Sequence, residues 1–450
     1  MKKRIINKIL AVMIAGSILL TTGCGKTAAT NNAPESGEQP SKQETVEASK
    51  APEGNVDLSI MWWGSDARHE ATQAVLDMYT KKTGVNFTAE YTGWDGYWSK
   101  LPVLAASNSM TDILQMDAAY IHQYVDSGQL ADLTNLIDLN GLVSAEELEN
   151  YKINGKLYGV PLSRNGQGIV YSKTDLDKYG IPAPKNGWSW DEMITWARAA
   201  KEKLPEGVYP LYDPRNQYNC YQEYVQSNGG KKTLDGKEFN FDEKYYTQFM
   251  EMYGKLVKEG LCPPAEVSLS HVDLDPVNDN FLNKKSLLRT VSIGSISSLA
   301  DMLPNDELAC VSLPQGEGGA GWCQSTIFLA VGANSKNIEQ AAAFIQYFIS
   351  DVEAGKTLKT VRGLPLSDEV YNSFSGELTK SQLKSKELYD TITAEGVKIT
   401  PYWDDVPTVF TTWATEFKAQ TEAVMLGEAN IADTAATLTE FGKDAVEAAK

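Results

Sequence analysis

The stretch Met61–Glu70 (MWWGSDARHE) places aromatic and charged side chains together at the end of an apolar segment. Trp62 and Trp63 precede Gly64, where a buried strand should end, and Arg68 follows in the next turn of chain. An indole face can cover the flat C–H patch of a sugar ring, while Asp, Asn and Arg side chains bind its hydroxyl groups. Because neighbouring strand residues face opposite sides of a sheet, we expect one of these indoles in the core and the other against a ligand.

Similar side chains follow the next two predicted strands. Tyr91 and Trp94 come after the second strand, and Asp117 and Tyr120 come after the third. In open α/β sheets, ligands bind beyond the carboxyl ends of the strands. Aromatic and polar residues interleaved at this edge therefore predict a sugar pocket.

Three further aromatic residues stand at junctions between predicted segments, and three arginines are isolated in the sequence. Trp322 follows a glycine-rich loop, and Tyr402 and Trp403 lie in the segment TPYWDD. Arg68, Arg164 and Arg362 could each bind a carboxylate or a pair of hydroxyl groups in a bidentate manner. A single arginine is more often part of a surface ion pair, so both interpretations remain open.

The elements that must position these residues begin with a β-α-β-α-β pattern. Apolar residues alternate up to Trp63, recur at helical spacing up to Gly84, and alternate again from 85 to 91. A helix is expected from Trp94 to Ala106 and a strand over 112–116. This order is typical of a parallel sheet covered by helices, so the fold class is α/β.

Later segments show turn and capping signals. Asn154-Gly155 predicts a hairpin between Ile153 and Leu157, and Ser189 is placed to cap a helix. Residues 321–331 are predicted as a strand and residues 337–350 as an amphipathic helix. Two more helical stretches are expected after Trp403.

The amino-terminal residues do not look like part of the fold. Residues 1–23 combine a basic start with an apolar run over 9–20 and small residues before Cys24, a pattern typical of a lipoprotein signal peptide. We expect Cys24 to be acylated, with secretion without lipidation as the alternative. Residues 24–54 are polar and almost without large apolar side chains, so they predict a disordered tether.

Charge and cysteine content exclude some functions. The chain carries a net charge of −18, and loss of residues 1–23 would leave 37 basic against 59 acidic residues, a net charge of −22. Such acidity argues against nucleic acid as a partner. No metal or cofactor motif is found, so neither is expected. Cys220, Cys262, Cys310 and Cys323 allow three disulfide pairings or four free thiols, and the sequence does not choose between them.

The whole chain after residue 24 resembles the extracellular solute-binding lipoproteins of carbohydrate ABC transporters. The resemblance rests on LSIMWWGSDARHE, AEYTGWDGYWSKL, TDILQMDAAYIHQY, GQLADL and NGKLYGVPL, together with the amino-terminal pattern. The first three segments also resemble the branch associated with pectin-derived, rhamnogalacturonan-type oligosaccharides. The resemblance implies two α/β lobes around a hinged cleft (a type II periplasmic-binding-protein-like fold with mixed, mostly parallel sheets). Residues 55–164 and 326–372 would form lobe 1, and residues 165–325 and 373–450 would form lobe 2.

The resemblance also implies which residues contact the sugar. Trp62, Trp63, Asp117 and Tyr120 would do so from lobe 1 and Trp322 and Trp403 from lobe 2, with Arg164 and Asn165 at the hinge. The expected function is capture of an oligosaccharide, a plant-polysaccharide fragment of which pectic sugars are one class, and its delivery to an ABC permease. The protein would be a monomer anchored by lipid to the outer face of the membrane. The alternatives are a secreted carbohydrate-active enzyme and a structural or adhesive lipoprotein.

Overall fold

The computed structural model describes residues 56–235, 238–400 and 408–448. The predicted signal peptide, Cys24, the tether, Tyr402 and Trp403 all lie outside these ranges. The strands of the described chain are β1 (Asp57–Trp63), β2 (Asn86–Thr92), β3 (Ile113–Asp117), β4 (Lys152–Ile153), β5 (Lys156–Leu157), β6 (Gly159–Pro161), β7 (Gln167–Ser172), β8 (Leu234–Asp235), β9 (Glu238–Phe239), β10 (Leu288–Ser292), β11 (Leu308–Val311) and β12 (Ile327–Val331).

Helices occupy most of the remaining chain. They are α1 (Asp66–Thr83), α2 (Trp94–Ala106), α3 (Ala118–Asp126), α4 (Ala145–Asn150), α5 (Lys173–Tyr179), α6 (Trp190–Lys201), α7 (Tyr218–Ser227), α8 (Glu243–Lys258), α9 (Ala265–Leu269), α10 (Ile296–Met302), α11 (Ile338–Ser350), α12 (Val352–Leu358), α13 (Asp368–Phe374), α14 (Lys380–Ile392), α15 (Thr408–Met425) and α16 (Ile431–Ala448). A short 3-10 helix spans Ser375–Glu377. Within the described ranges, no helix is both long and apolar enough to span a bilayer.

The first sheet has five strands in the order β2-β1-β3-β12-β6. Strands β2, β1 and β3 are parallel, as the β-α-β-α-β pattern predicts, and α1 and α2 connect them. Strand β12 runs antiparallel to both β3 and β6. The carboxyl ends of β1, β2 and β3 therefore lie at one edge of this sheet, where the predicted sugar-binding residues follow them.

The second sheet has three strands in the order β10-β7-β11, and both pairs are antiparallel. The expectation of mostly parallel sheets is wrong for this one. No β-α-β unit builds it, because its three strands come from distant segments of the chain. Antiparallel neighbours do not need the crossover helix that parallel neighbours require.

The two sheets belong to separate hydrophobic cores. The five-stranded sheet packs with α1, α2, α3 and α11, and its core includes Leu58, Ile113 and Phe344. The three-stranded sheet separates two other clusters, one with α6, α7, α8 and α15 and one with α10, α13 and α14. The chain passes between the sheets in residues 162–166, in residues 312–326 and after α12. We call the two parts the five-stranded and the three-stranded lobe; the predicted residue boundaries of the lobes stay a prediction.

Several local predictions are confirmed. Ile153 pairs with Lys156 across Asn154 and Gly155, whose φ angles of 52° and 77° are those of a two-residue hairpin turn. The Ser189 hydroxyl accepts a hydrogen bond from the backbone N–H of Glu192 in a capping box, and α6 begins at the next residue. Helices α2, α11, α15 and α16 are found where helices were expected.

The strand predicted over 321–331 is wrong in its first half. Strand β12 begins only at Ile327. Gly321 has a φ of 102°, which breaks the extended conformation, and Trp322 and Cys323 form isolated bridges to Thr400 and Gly166 instead of joining a sheet. The first half of this stretch is therefore a connection between the lobes.

The four cysteines named above are all free thiols. Burial raises the pKa of Cys310 and of Cys323 to about 12, and it raises the pKa of Cys220 and of Cys262 well above the ordinary value. Buried protonated thiols are unreactive. The cysteines therefore act as small core residues.

Candidate functional site

Four aromatic rings form a cluster at the carboxyl edge of the five-stranded sheet. Trp63 ends β1, Trp94 and Trp98 lie on α2, and Tyr120 lies on α3. The centroid of the Trp63 ring is 5.2 Å from that of Trp94 and 5.4 Å from that of Trp98, and Tyr120 packs on Trp98 at 4.1 Å. We call these four residues the aromatic cluster.

The aromatic cluster has a surface that a ligand can reach. Trp94 is 43% exposed, whereas Trp63 is buried beneath it. Trp98 is half-buried, and its Nε1 atom has no hydrogen-bond partner among the described residues. The exposed face of Trp94 suits the C–H patch of a sugar ring. Trp98 is not among the predicted site residues.

Asp117 ends β3 beside the aromatic cluster. Its carboxylate accepts a hydrogen bond of 3.0 Å from the backbone N–H of Ala119 and so caps α3. Burial raises the pKa of Asp117 to about 6, although this hydrogen bond acts in the opposite direction. Near neutral pH the carboxylate is ionised but poorly solvated, which favours hydrogen bonds from the hydroxyl groups of a ligand.

The connections between the lobes meet the sheet next to Asp117. Asn165 donates a hydrogen bond of 3.3 Å from Nδ2 to the hydroxyl of Thr326. The carbonyl of Thr326 in turn accepts a hydrogen bond of 2.9 Å from the backbone N–H of Ala118. The structure thus brings Asn165 close to the edge that carries Asp117.

Trp62 points to the other face of β1, as the alternation of a strand requires. Its side chain is fully buried, and its Nε1 donates a hydrogen bond of 3.0 Å to Nδ1 of His69. The His69 ring stacks on Tyr91 with centroids 4.4 Å apart, and Tyr91 is 49% exposed. Trp63 is also buried, with 6% of the residue exposed, so the expectation that one of these two indoles lies at a surface is wrong; the exposed indole at this edge is Trp94, which packs on Trp63.

Two of the predicted arginines bind the protein itself. Arg68 donates from Nε to the carbonyl of Val361 and from Nη1 to that of Trp63. Arg362 is buried, donates to Gln115 and Thr72, and lies over the Trp62 ring at 5.8 Å. Burial lowers the pKa of both guanidinium groups. These contacts hold the segment after α12 against the sheet.

Arg164 forms an ion pair in the connection between β6 and β7. Its Nη1 lies 2.6 Å from Oδ1 of Asp368, and its guanidinium lies 4.8 Å from the centroid of Tyr389. Its backbone N–H also donates to the carbonyl of Leu364. Of the two interpretations left open for this residue, these contacts favour the ion pair.

Trp322 lies in the connection between β11 and β12 and is buried. It packs with the core of the five-stranded lobe, and its indole lies near the side chain of Glu223 on α7 in the other lobe. Sequence reasoning missed Glu223. The one available signal was an acidic residue in a helix otherwise rich in tyrosine, YNCYQEYVQS.

Another group of ionisable residues lies in the loop after α9. His271, Asp273 and Asp279 have ligand atoms close enough to hold a metal ion. The guanidinium of Arg289 already pairs with both carboxylates, and His271 Nε2 lies 2.8 Å from Asp273. We interpret this group as an ion-pair network that fixes the loop.

Comparisons with known proteins connect this architecture to a family. The chain is similar to the melibiose/raffinose/stachyose-binding protein of Bacillus subtilis (strain 168), with 22% identity over 357 residues, 76% of this chain and 78% of that protein. It is also similar to a carbohydrate ABC transporter substrate-binding protein of Streptococcus pneumoniae, with 22% identity over 291 residues, 61% of this chain and 57% of that protein.

The fold is shared with solved structures. A periplasmic oligogalacturonide binding protein from Yersinia enterocolitica matches with a TM-score of 0.71 and 23% identity, over 88% of this chain and all of that one. This likeness confirms the predicted α/β solute-binding fold. Residues 74–385, more than half of the chain, match the family described as bacterial extracellular solute-binding protein. The chain therefore belongs to the bacterial extracellular solute-binding proteins.

Proposed function

We propose that this protein captures an oligosaccharide outside the cell and delivers it to an ABC permease without changing it chemically. The observation that carries the proposal is the aromatic cluster, with Trp94 partly exposed and Asp117 at the end of the neighbouring strand β3. A sugar ring would lie on the Trp94 face, with its hydroxyl groups directed toward Asp117. The names of the two relatives that bind or transport carbohydrate support this assignment.

The connections between the lobes supply the movement. The chain crosses between the lobes in segments 162–166 and 312–326 and again after α12, so a rotation about these segments opens or closes the cleft. A ligand that contacts both lobes stabilises the closed form by its difference in affinity for the two forms. The closed complex is then the form that the permease recognises.

Two observations support a particular class of sugar: one solved structure with the same fold, and the sequence segments around Trp62 and Trp94. The oligogalacturonide-binding neighbour, like the segments around Trp62 and Trp94, points to plant-polysaccharide fragments of the pectic type. The rival is a secreted enzyme that acts on the same sugars. The two functions differ in one measurement, because an enzyme releases products from an oligosaccharide and a binding protein returns it intact.

Calorimetric titration with neutral and acidic plant oligosaccharides tests the proposal. Saturable binding with the sugar recovered unchanged is expected, and binding of no sugar in the panel would leave a structural or adhesive lipoprotein as the better assignment. Trp94→Ala should weaken binding by about 1–3 kcal/mol, the range found for bases stacked on aromatic side chains. Trp196→Ala is the control, because Trp196 is a half-buried indole on α6, in the other lobe. Equal affinities of both variants would contradict the stacking role of Trp94.

We further propose that Cys24 carries a lipid that holds the mature protein at the outer face of the membrane as a monomer. Cys24→Ala should move the protein from the membrane fraction to the medium. Retention of this variant in the membrane fraction would contradict lipid anchoring. The test is independent of the ligand, so it separates the location of the protein from its binding function.

A further inference from the structure

A small cavity lies in the three-stranded lobe, next to the connection between β11 and β12. Its volume of about 20 Å³ is enough for about one water molecule. Gly321 forms part of the wall, and Trp322 is the next residue of the connection. The polar groups that line it come from Glu223 and Cys220 on α7, Tyr253 on α8 and Tyr212 in the loop before α7.

Glu223 is the residue of this cavity whose hydrogen bonding is incomplete. Its side chain is buried, with 5% of the residue exposed, and its Oε1 atom has no hydrogen-bond partner among the described residues. The Trp322 indole lies near the same carboxyl. A buried polar atom without a partner is destabilising, so a ligand group or a water molecule that bonds to Oε1 is bound favourably.

The surroundings of Glu223 keep the carboxyl neutral. Burial raises its pKa to about 8, while the nearby Trp322 indole acts in the opposite direction. The other ionisable groups that face the cavity are Tyr212, Cys220 and Tyr253, and burial raises the pKa of each well above its ordinary value. The lining contains no lysine, arginine or histidine. At neutral pH the carboxyl therefore has an O–H group that can donate a hydrogen bond.

We propose that this cavity is a subsite for one exocyclic oxygen-bearing group of the bound sugar, and that Glu223 donates a hydrogen bond to that oxygen. The inference rests on the proposed function. The size of the cavity excludes a sugar ring but admits one oxygen atom at the end of a hydroxymethyl, hydroxyl or carboxylate group. The cavity lies beside Trp322, in a segment that joins the two lobes. Glu223 then acts as a specificity-determining residue that distinguishes sugars by the substituent on the ring.

The sugars that best test the subsite differ in one substituent. A disaccharide of galactose carries a hydroxymethyl group, one of galacturonic acid carries a carboxylate, and one of 6-deoxygalactose has only a methyl group at that position. The subsite predicts that the 6-deoxy disaccharide binds at least tenfold more weakly than the better of the other two. Equal affinity for all three would overturn the proposal.

Two substitutions separate hydrogen bonding from packing. Glu223→Gln keeps the size and a hydrogen-bond donor, so it should bind within about threefold of the wild type. Glu223→Leu removes donor and acceptor and should weaken binding at least tenfold. Gln222→Leu is the matched control, because Gln222 is an equally buried polar neighbour on α7 that does not line the cavity.

The pH dependence gives a readout that a purely structural role would not produce. Between pH 6.5 and pH 9 the wild type should lose about tenfold in affinity as the Glu223 proton is lost, whereas Glu223→Gln should not show this loss. The wild-type profile needs no variant, so it stays informative if Glu223→Leu does not fold. Wild-type binding with a flat profile, or equal affinity of Glu223→Leu and Gln222→Leu, would overturn the subsite alone. Failure of the wild type to bind any oligosaccharide would overturn both the subsite and the proposed function.

Discussion

Asp117→Asn replaces one side-chain oxygen by nitrogen at the carboxyl edge of the five-stranded sheet and preserves the shape of the side chain. The Asp117 side chain accepts from the backbone N–H of Ala119, and an asparagine carbonyl can accept the same bond at a helix amino terminus. The substitution therefore removes the ionisable carboxyl and keeps the cap. Any change in the pH dependence of stability then reports the titration of Asp117.

The sign and size of the effect follow from the raised pKa. Asp117 has a pKa of about 6 in the folded protein against 3.8 ordinarily, so the folded state favours the protonated form. The resulting stabilisation is fully present below pH 3.8 and is lost as the pH rises through 6. A difference of one pKa unit corresponds to about 1.4 kcal/mol, so the wild type should lose about 2 kcal/mol relative to Asp117→Asn between pH 4 and pH 7.

Urea unfolding of the wild type and of Asp117→Asn at pH 4, 5, 6 and 7 measures this difference. The free energies of unfolding of the two proteins should diverge steadily across this range, with the variant relatively more stable at pH 7. Other titrating groups affect both proteins alike, so they cancel in the difference. A difference that does not change with pH would refute the assignment of a buried, destabilised carboxylate at this position.

Three further substitutions test separate features of the structure, each by the free energy of urea unfolding. Gly155→Ala should lower the free energy of unfolding by about 1 kcal/mol. The added Cβ would clash with no neighbouring atom, but the φ angle of +77° is unfavourable for alanine. An unchanged free energy would contradict the turn conformation. Gly318→Ala should cost about 1–3 kcal/mol, because its Cβ would lie 1.8 Å from the carbonyl oxygen of Gln226, and a variant as stable as the wild type would show that the loop moves freely. Arg164→Met should change the free energy of unfolding by less than about 1 kcal/mol, because its ion-pair partner Asp368 is largely exposed. Calorimetry should find its sugar affinity unchanged within threefold. A large loss of affinity would show that Arg164 contacts the sugar.

Features governed by short-range rules could be predicted from the sequence. The Asn154-Gly155 turn, the Ser189 cap and the end of α1 at Gly84 each depend on the conformational preference of one or two residues. The first five elements also followed from periodicity, because each strand or helix there has a regular apolar pattern. The aromatic cluster could be located in outline, since its rings follow directly on strand ends.

Features set by distant contacts could not be predicted. Nothing in the sequence around Arg362 indicates that its guanidinium is buried over the Trp62 ring and donates a hydrogen bond to Gln115. The cavity at Glu223 is completed by Gly321, and Trp322 lies near its carboxyl; both residues are about 100 positions later in the chain. The antiparallel second sheet likewise results from pairing between remote segments, which a local pattern does not specify.

The position of β12 has a consequence for how the chain folds during synthesis. This strand fills the place between β3 and β6, where Ile327 pairs with Asp117 and Phe328 with Pro161. A nascent chain therefore lacks the piece that joins these two strands until most of the polypeptide has been made. Because contacts between remote segments form slowly, the first lobe should stay incomplete late into translation, a state well suited to passage through a narrow export channel.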